Sequence, residues 1–151
     1  MKNIANNFEQ FYDQSSNKKI VFTNGCFDIL HVGHIRLLND AKKLGDILVV
    51  GINSDSSVKK LKGENRPVNI ESDRKTLLES LKSVDYVFTF DEDNPLNLIK
   101  KIRPNILVKG GDYNENIIGS DFVIENGGEV KILFFHEGYS SSKYINQIKK
   151  A

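Results

Sequence analysis

Two short apolar runs bracket a polar turn within Lys19–Asn53 (KIVFTNGCFDILHVGHIRLLNDAKKLGDILVVGIN), and this stretch limits the possible folds more than any other. Lys19–Thr23 and Asp46–Ile52 are apolar without polar alternation, the pattern of strands buried on both faces. Between them Asn24-Gly25 turns the chain. Ile35, Leu37, Leu38, Ala41 and Leu44 then recur at helical spacing until Gly45 ends the helix. Strand, helix, strand in this order is a βαβ unit, which crosses over right-handed.

The remaining chain repeats the alternation. Asn53-Ser54-Asp55 offers N-cap chemistry for a short helix through Leu61, and Lys62–Asn69 (KGENRPVN) has no apolar period and reads as a surface loop. A helix follows with Leu77, Leu78 and Leu81 inward, then strands at Tyr86–Phe90, Ile106–Lys109 and Val130–Phe135. Pro95 suits the first turn of the helix that ends near Arg103-Pro104, Glu125–Gly128 terminates another, and Ser140–Lys149 is the last. The prediction is one α/β domain, a Rossmann-like doubly wound parallel five-stranded sheet with helices on both faces. Residues 1–17 form a lead-in in which Ile4, Phe8, Phe11 and Tyr12 fall at helical spacing, and 18–151 form the domain.

Composition narrows the function classes. A net charge of +1 gives no bulk electrostatic case for nucleic acid or an anionic membrane. Cys26 is the one cysteine, which rules out an internal disulfide and a cysteine-built metal site. No apolar run approaches the ~20 residues that span a bilayer. The N-terminus lacks the apolar centre of a signal peptide, so the expected location is the cytoplasm.

Ligands of doubly wound sheets bind outside the carboxyl ends of the strands. Three polar stretches follow such ends: Asn24–His34, Lys109-Gly110-Gly111 and Gly138-Tyr139-Ser140. His31 and His34 sit where a helix begins, and a helix N-terminus favours anions such as phosphate. A purely structural role, one ring capping and one packed, is the alternative. Gly33 between them leaves room for a nucleotide to approach the backbone, and the backbone N–H groups around Gly25, Cys26 and Phe27 can cradle phosphates. Two histidines with no third histidine or cysteine cluster near them in the sequence make a poor metal site. Cys26 has no base specified for it and reads as a packed turn residue.

Asn24-Gly25-Cys26-Phe27-Asp28-Ile29-Leu30-His31-Val32-Gly33-His34 resembles the G-x-F-D-x-x-H-x-G-H signature of the HxGH nucleotidyltransferase (cytidylyltransferase-like) superfamily. Asn53-Ser54-Asp55, Leu61-Lys62-Gly63, Arg66–Asn69 and Leu107–Tyr113 are similar to the D-glycero-β-D-manno-heptose 1-phosphate adenylyltransferases within it. The resemblance covers roughly residues 18–150 and implies AMP transfer from ATP to a sugar 1-phosphate, with Mg²⁺ carried by the nucleotide phosphates, in a homodimer. The glycerol-3-phosphate cytidylyltransferases carry R-T-E-G-I-S-T where this chain has Phe135–Ser141, and Phe135 replaces the arginine, which counts against that branch. A third reading, from another class, is a non-catalytic nucleotide-binding module, which would have no need of the second imidazole.

The resemblance implies roles that the residue types support. His31, His34 and Lys62 are catalytic candidates. Asn24, Gly25, Cys26, Phe27, Gly33, Lys109, Gly110, Ser140 and Ser141 are nucleotide-binding candidates, and Asp28, Arg66 and Asp112 are substrate-binding candidates. Structural alternatives stay open for several. Lys62 could be a solvated surface lysine, Asp28 a turn cap, and Ser140–Ser142 simple N-caps. Lys109 pairs with Asp112 or meets the nucleotide, and Arg74, on a helix face, is a weaker phosphate candidate.

Overall fold

In a computed structural model the described residues are 8–111, 116–134 and 138–151. The order is α1 (Phe8–Ser15), β1 (Ile20–Gly25), α2 (Val32–Lys42), β2 (Ile47–Asn53), α3 (Asp55–Lys62), α4 (Glu71–Glu79), β3 (Tyr86–Phe90), α5 (Leu96–Ile102), β4 (Ile106–Gly110), α6 (Ser120–Glu125), β5 (Glu129–Leu133) and α7 (Ser141–Lys150). The five strands run in the order β3-β2-β1-β4-β5, and every pairing is parallel.

Period-2 alternation along each strand divides the core in two. Ile20, Phe22, Val49, Phe88 and Leu107 point to one face, where Phe11 of α1, Leu98, Ile99 and Ile102 of α5 and Val123 of α6 cover them. Val21, Leu48, Val50, Ile52 and Val108 point to the other, against Leu38 and Ala41 of α2 and Leu78 of α4. Helices therefore lie on both faces, the doubly wound arrangement expected from the β-α alternation.

Some boundaries differ from the sequence reading. Leu77 is 44% exposed rather than inward, and only Leu78 of that pair is fully buried. Lys62 is the last residue of α3, not part of the loop, because Ser54 accepts from the Ser57 N–H and starts a helix that runs to Gly63. The last strand ends at Leu133. Ile4, Asp112, Phe135 and His136 lie outside the described residues.

Chain direction places the site. From β1 the chain winds outward through β2 to β3, then returns to lay β4 on the other side of β1. The strand order reverses between β1 and β4, and such a switch point leaves a crevice at the carboxyl ends. The His31–His34 turn follows β1 and Lys109-Gly110 ends β4, so both border that crevice.

Candidate active site

His31 and His34 cap each other. The Nδ1 of His31 accepts from the His34 N–H at 3.4 Å, and the Nδ1 of His34 accepts from the His31 N–H at 3.3 Å. The rings stack with centroids 3.7 Å apart and planes 22° from parallel. This is a capping box at the start of α2 with imidazoles in both roles. It decides the tautomer: a neutral imidazole that accepts at Nδ1 carries its proton on Nε2. Each ring thus has an Nε2–H donor left over for a ligand.

Both rings favour the neutral form. Burial lowers the His34 pKa from 6.5 to about 4, with the neighbouring His31 adding to the effect. Burial also lowers that of His31. The capping and ligand-facing roles are therefore compatible, since one nitrogen serves each.

Two adjoining clefts meet at His34. One, of about 460 Å³, is lined by Cys26, Phe27, Asp28, His31, His34, Lys62, Arg66 and the Gly138–Ser142 segment. The other, of about 450 Å³, is lined by Thr23, Asn24, Gly25, Asn53, Lys109 and Gly110 among others. They share Cys26, Phe27, His34 and Lys62. Lys109 reaches from the end of β4 to donate to Asn24 Oδ1, and burial lowers its pKa from 10.5 to about 8. Its ammonium is thus a cation held at the crevice by a neutral amide.

Several candidates have structural roles that their residue types did not announce. Asp28 is 1% exposed, and its carboxylate accepts from Arg66 Nε at 2.6 Å and from the Val68 and Asn69 N–H groups at 2.9 Å. Burial pushes its pKa up, but the Asn69, Val68 and Arg66 hydrogen bonds outweigh this and hold it below the usual carboxylate value. Both of its oxygens are engaged with the 66–69 loop, and it lines the cleft beside Arg66. Arg66 has one face of its guanidinium on Asp28 and still lines the cleft.

At Gly33 a Cβ would lie 2.9 Å from Tyr139 Cβ and 3.0 Å from the His31 ring, so the close packing of those side chains requires glycine there. The Ser140 hydroxyl caps α7 by accepting from the Lys143 N–H at 3.1 Å. The Ser141 hydroxyl donates to the Ile29 carbonyl at 3.0 Å, which ties the start of α7 to the histidine turn. Cys26 donates its thiol to Asn53 Oδ1 at 3.6 Å, and burial raises its pKa against the pull of Lys62, Arg74 and Arg66, so it is no nucleophile at neutral pH.

Sequence reasoning undervalued two residues. Tyr139 lies along His31, with ring centroids 6.1 Å apart, and the Arg36 guanidinium sits 5.7 Å from its ring. Arg74 is 0% exposed and donates to the carbonyls of Cys26 and Asn53 at 2.8 Å, to that of Asn69 at 3.0 Å and to Asp55 Oδ1 at 2.9 Å. Its phosphate reading is corrected, because no donor face of a fully buried guanidinium is presented to a ligand. The signal available in sequence was its place one turn into a helix that follows the Arg66–Asn69 loop.

Residues 22–147 match the family described as Cytidylyltransferase-like. The bifunctional protein HldE of Campylobacter fetus is 59% identical over 135 residues, covering 89% of this chain and 29% of the relative. That of Helicobacter pylori is 58% identical, covering 88% of this chain and 28% of the relative. The chain thus spans under a third of these relatives. Among solved structures, the lipopolysaccharide core biosynthesis protein of Thermoplasma volcanium superposes with a TM-score of 0.66 at 31% identity, over 82% of this chain and 99% of that one. The pantoate-beta-alanine ligase of Francisella tularensis shares the fold at 18% identity and a TM-score of 0.61, over 94% of this chain and 72% of that one. With the match covering most of its length, the chain belongs to the cytidylyltransferase-like family.

Proposed function

We propose that this protein is a nucleotidyltransferase that moves AMP from ATP to D-glycero-β-D-manno-heptose 1-phosphate. It releases pyrophosphate and forms ADP-heptose for cell-envelope glycan synthesis. The observation that carries the reading is the stacked His31–His34 pair, neutral and with Nε2–H groups to spare, at the switch-point crevice. The HldE relatives and the lipopolysaccharide core protein point to the same acceptor class.

The reaction needs no covalent enzyme intermediate. An acceptor phosphate oxygen, already anionic at neutral pH, attacks the α-phosphorus of ATP. The bond from that phosphorus to the β-bridging oxygen breaks, and the electron pair leaves with pyrophosphate. Catalysis reduces to positioning and charge neutralisation. The Nε2–H groups of His31 and His34 donate to the α-phosphate and the bridging oxygen, where charge grows as the bond breaks. Lys62, which lines both clefts, and Lys109, which lines the second, supply cations to the same crevice as His34. Arg66 presents its outer guanidinium face to the acceptor phosphate.

A magnesium ion carried by the triphosphate would screen its charge. Among the described residues no cluster of three or more His, Cys, Asp or Glu is placed to hold a metal ion. The nearest carboxylate, Asp28, does not fit as a ligand because its oxygens already bind Arg66 and two main-chain N–H groups. Among the same residues no helix is long and apolar enough to cross a membrane. ATP and sugar phosphates are cytoplasmic, and we place the enzyme there.

Pyrophosphate release tests the reading. Purified protein is offered ATP, CTP or GTP, each against heptose 1-phosphate and glycerol 3-phosphate. ATP with heptose 1-phosphate is expected to give the fastest release by at least tenfold. Fastest release from CTP with glycerol 3-phosphate would overturn the substrate assignment, and no release from any pair would leave only a binding module.

A further inference from the structure

Arg74 is the fully buried side chain that most needs an explanation. Burying a guanidinium is costly unless every donor is matched, and here the partners are not core groups but main-chain carbonyls at the carboxyl end of the sheet. Cys26 O lies in the turn after β1, Asn53 O at the end of β2, and Asn69 O at the end of the Arg66–Asn69 loop. Asp55, in the first turn of α3, accepts from Nη2 and is 41% exposed. One side chain therefore pins the elements that frame the crevice to one another.

The Cys26 contact has a further consequence. The Cys26–Phe27 peptide is trans and planar, so its carbonyl and its N–H point in opposite directions. With the carbonyl drawn inward onto Arg74 Nη1, the Phe27 N–H faces away from that guanidinium, and Phe27 lines both clefts. Phe27 itself has φ of +48°, a conformation that a non-glycine residue keeps only when its surroundings hold it there. Its ring is held between Gly25, where a Cβ would lie 3.0 Å away, and His34, with centroids 5.1 Å apart. The peptide, the ring and the catalytic imidazole thus form one assembly with Arg74 beneath it.

We infer that Arg74 is a positioning residue for phosphoryl transfer: by holding the Cys26 carbonyl it aims the Phe27 N–H at the nucleotide phosphates beside His34. This rests on the proposed transfer reaction but adds a residue that touches no substrate. Lysine cannot reproduce it, because an ammonium has no planar fork to reach three carbonyls and a carboxylate together. A misplacement of about 1 Å can lower the rate by roughly 10²-fold.

The test combines backbone amide NMR with kinetics on the full chain. In the native protein, saturating MgATP moves the Phe27 amide resonance. Arg74→Lys lowers kcat by about 10–100-fold. It leaves KM for the sugar phosphate within twofold and abolishes the Phe27 response while the Ser141 amide still responds. A purely structural arginine would lower the melting temperature and leave the Phe27 response in place. If Arg74→Lys does not fold, Asp55→Ala removes one half-exposed partner instead and is expected to lower kcat severalfold with a weakened Phe27 response. A Phe27 amide that ignores MgATP in the native protein, or a folded variant of either kind with native kcat and a native Phe27 response, overturns the inference. Absence of pyrophosphate release from the native protein would instead strike the reaction itself, and the Phe27 response to MgATP would still report on the peptide.

Discussion

His31 and His34 hold each other's backbone N–H through Nδ1 while their rings stack 3.7 Å apart. One nitrogen of each ring builds the helix start and the other is left for chemistry. Capping and catalysis can therefore be separated by the choice of substitution.

His31→Asn keeps a side-chain acceptor at the N-cap, where asparagine is among the favoured residues, but loses the Nε2–H. Thermal unfolding should stay near native while turnover falls by about 10²-fold. His31→Ala loses the cap too, at about 1 kcal/mol of stability. Calorimetry paired with pyrophosphate release distinguishes the two. Equal destabilisation by both variants would remove the capping role.

The depressed pKa of His34 links stability to acid. Above pH 6.5 the ring is neutral in both folded and unfolded chains, and the group contributes no pH dependence. Between pH 6.5 and about 4 the unfolded chain takes up a proton that the folded chain refuses, so stability falls as pH falls. The loss attributable to this ring is on the order of 3 kcal/mol. Urea unfolding at several pH values should show a shallower acid slope for His34→Gln than for the native chain, and parallel slopes would refute the link.

Lys109 sets the opposite limb. Its pKa of about 8 means that the crevice loses a cation as pH rises through that value, so kcat/KM should fall there. Folding stability moves the other way, rising between pH 8 and 10.5 as the unfolded chain alone keeps its proton. Lys109→Arg should carry the alkaline limb beyond the accessible range. A limb unmoved by that change would assign it elsewhere.

Asp28 and Arg66 form an ion pair whose side chains are 0% and 13% exposed. Removing the carboxylate in Asp28→Ala strands the Arg66 guanidinium and frees the Val68 and Asn69 N–H groups. Breaking such a pair costs about 3–5 kcal/mol. Hydrogen exchange at the Val68 and Asn69 amides should accelerate more than in the strands. Native protection at those two amides would show that the loop is held by something else.

Phe11 provides the control. It is fully buried in the sheet face away from the histidines, against Tyr86 and Phe88 with ring centroids 5.2 and 5.8 Å away. Phe11→Ala should cost about 3–5 kcal/mol and leave kcat of the remaining folded protein unchanged. A matching drop in kcat would mean that α1 is coupled to the site.

Much of this architecture was legible before any coordinates. Apolar runs without polar alternation announce buried strands, and Leu38 and Ala41 mark the inward face of α2, because both signals depend only on local periodicity. The histidine turn was legible for the same reason: its strand, turn and helix are contiguous. What stayed hidden depends on contacts between distant segments. Asp28 meets Asn69 across 41 positions and Arg74 meets Cys26 across 48, and no local pattern reports either. The packing of Tyr139 against Gly33 likewise joins residues far apart in the chain. Leu77 shows the limit of periodicity itself, since it is 44% exposed beside a fully buried Leu78 on the same helix.

The most direct test is turnover by His34→Ala beside the native chain, with MgATP and heptose 1-phosphate and with folding checked by circular dichroism. The native chain is expected to form ADP-heptose and pyrophosphate in equal amounts, and the variant to do so about 10²–10³-fold more slowly with its fold retained. A folded variant that works at near-native speed would contradict the account, because the paired imidazoles would then be only a helix cap.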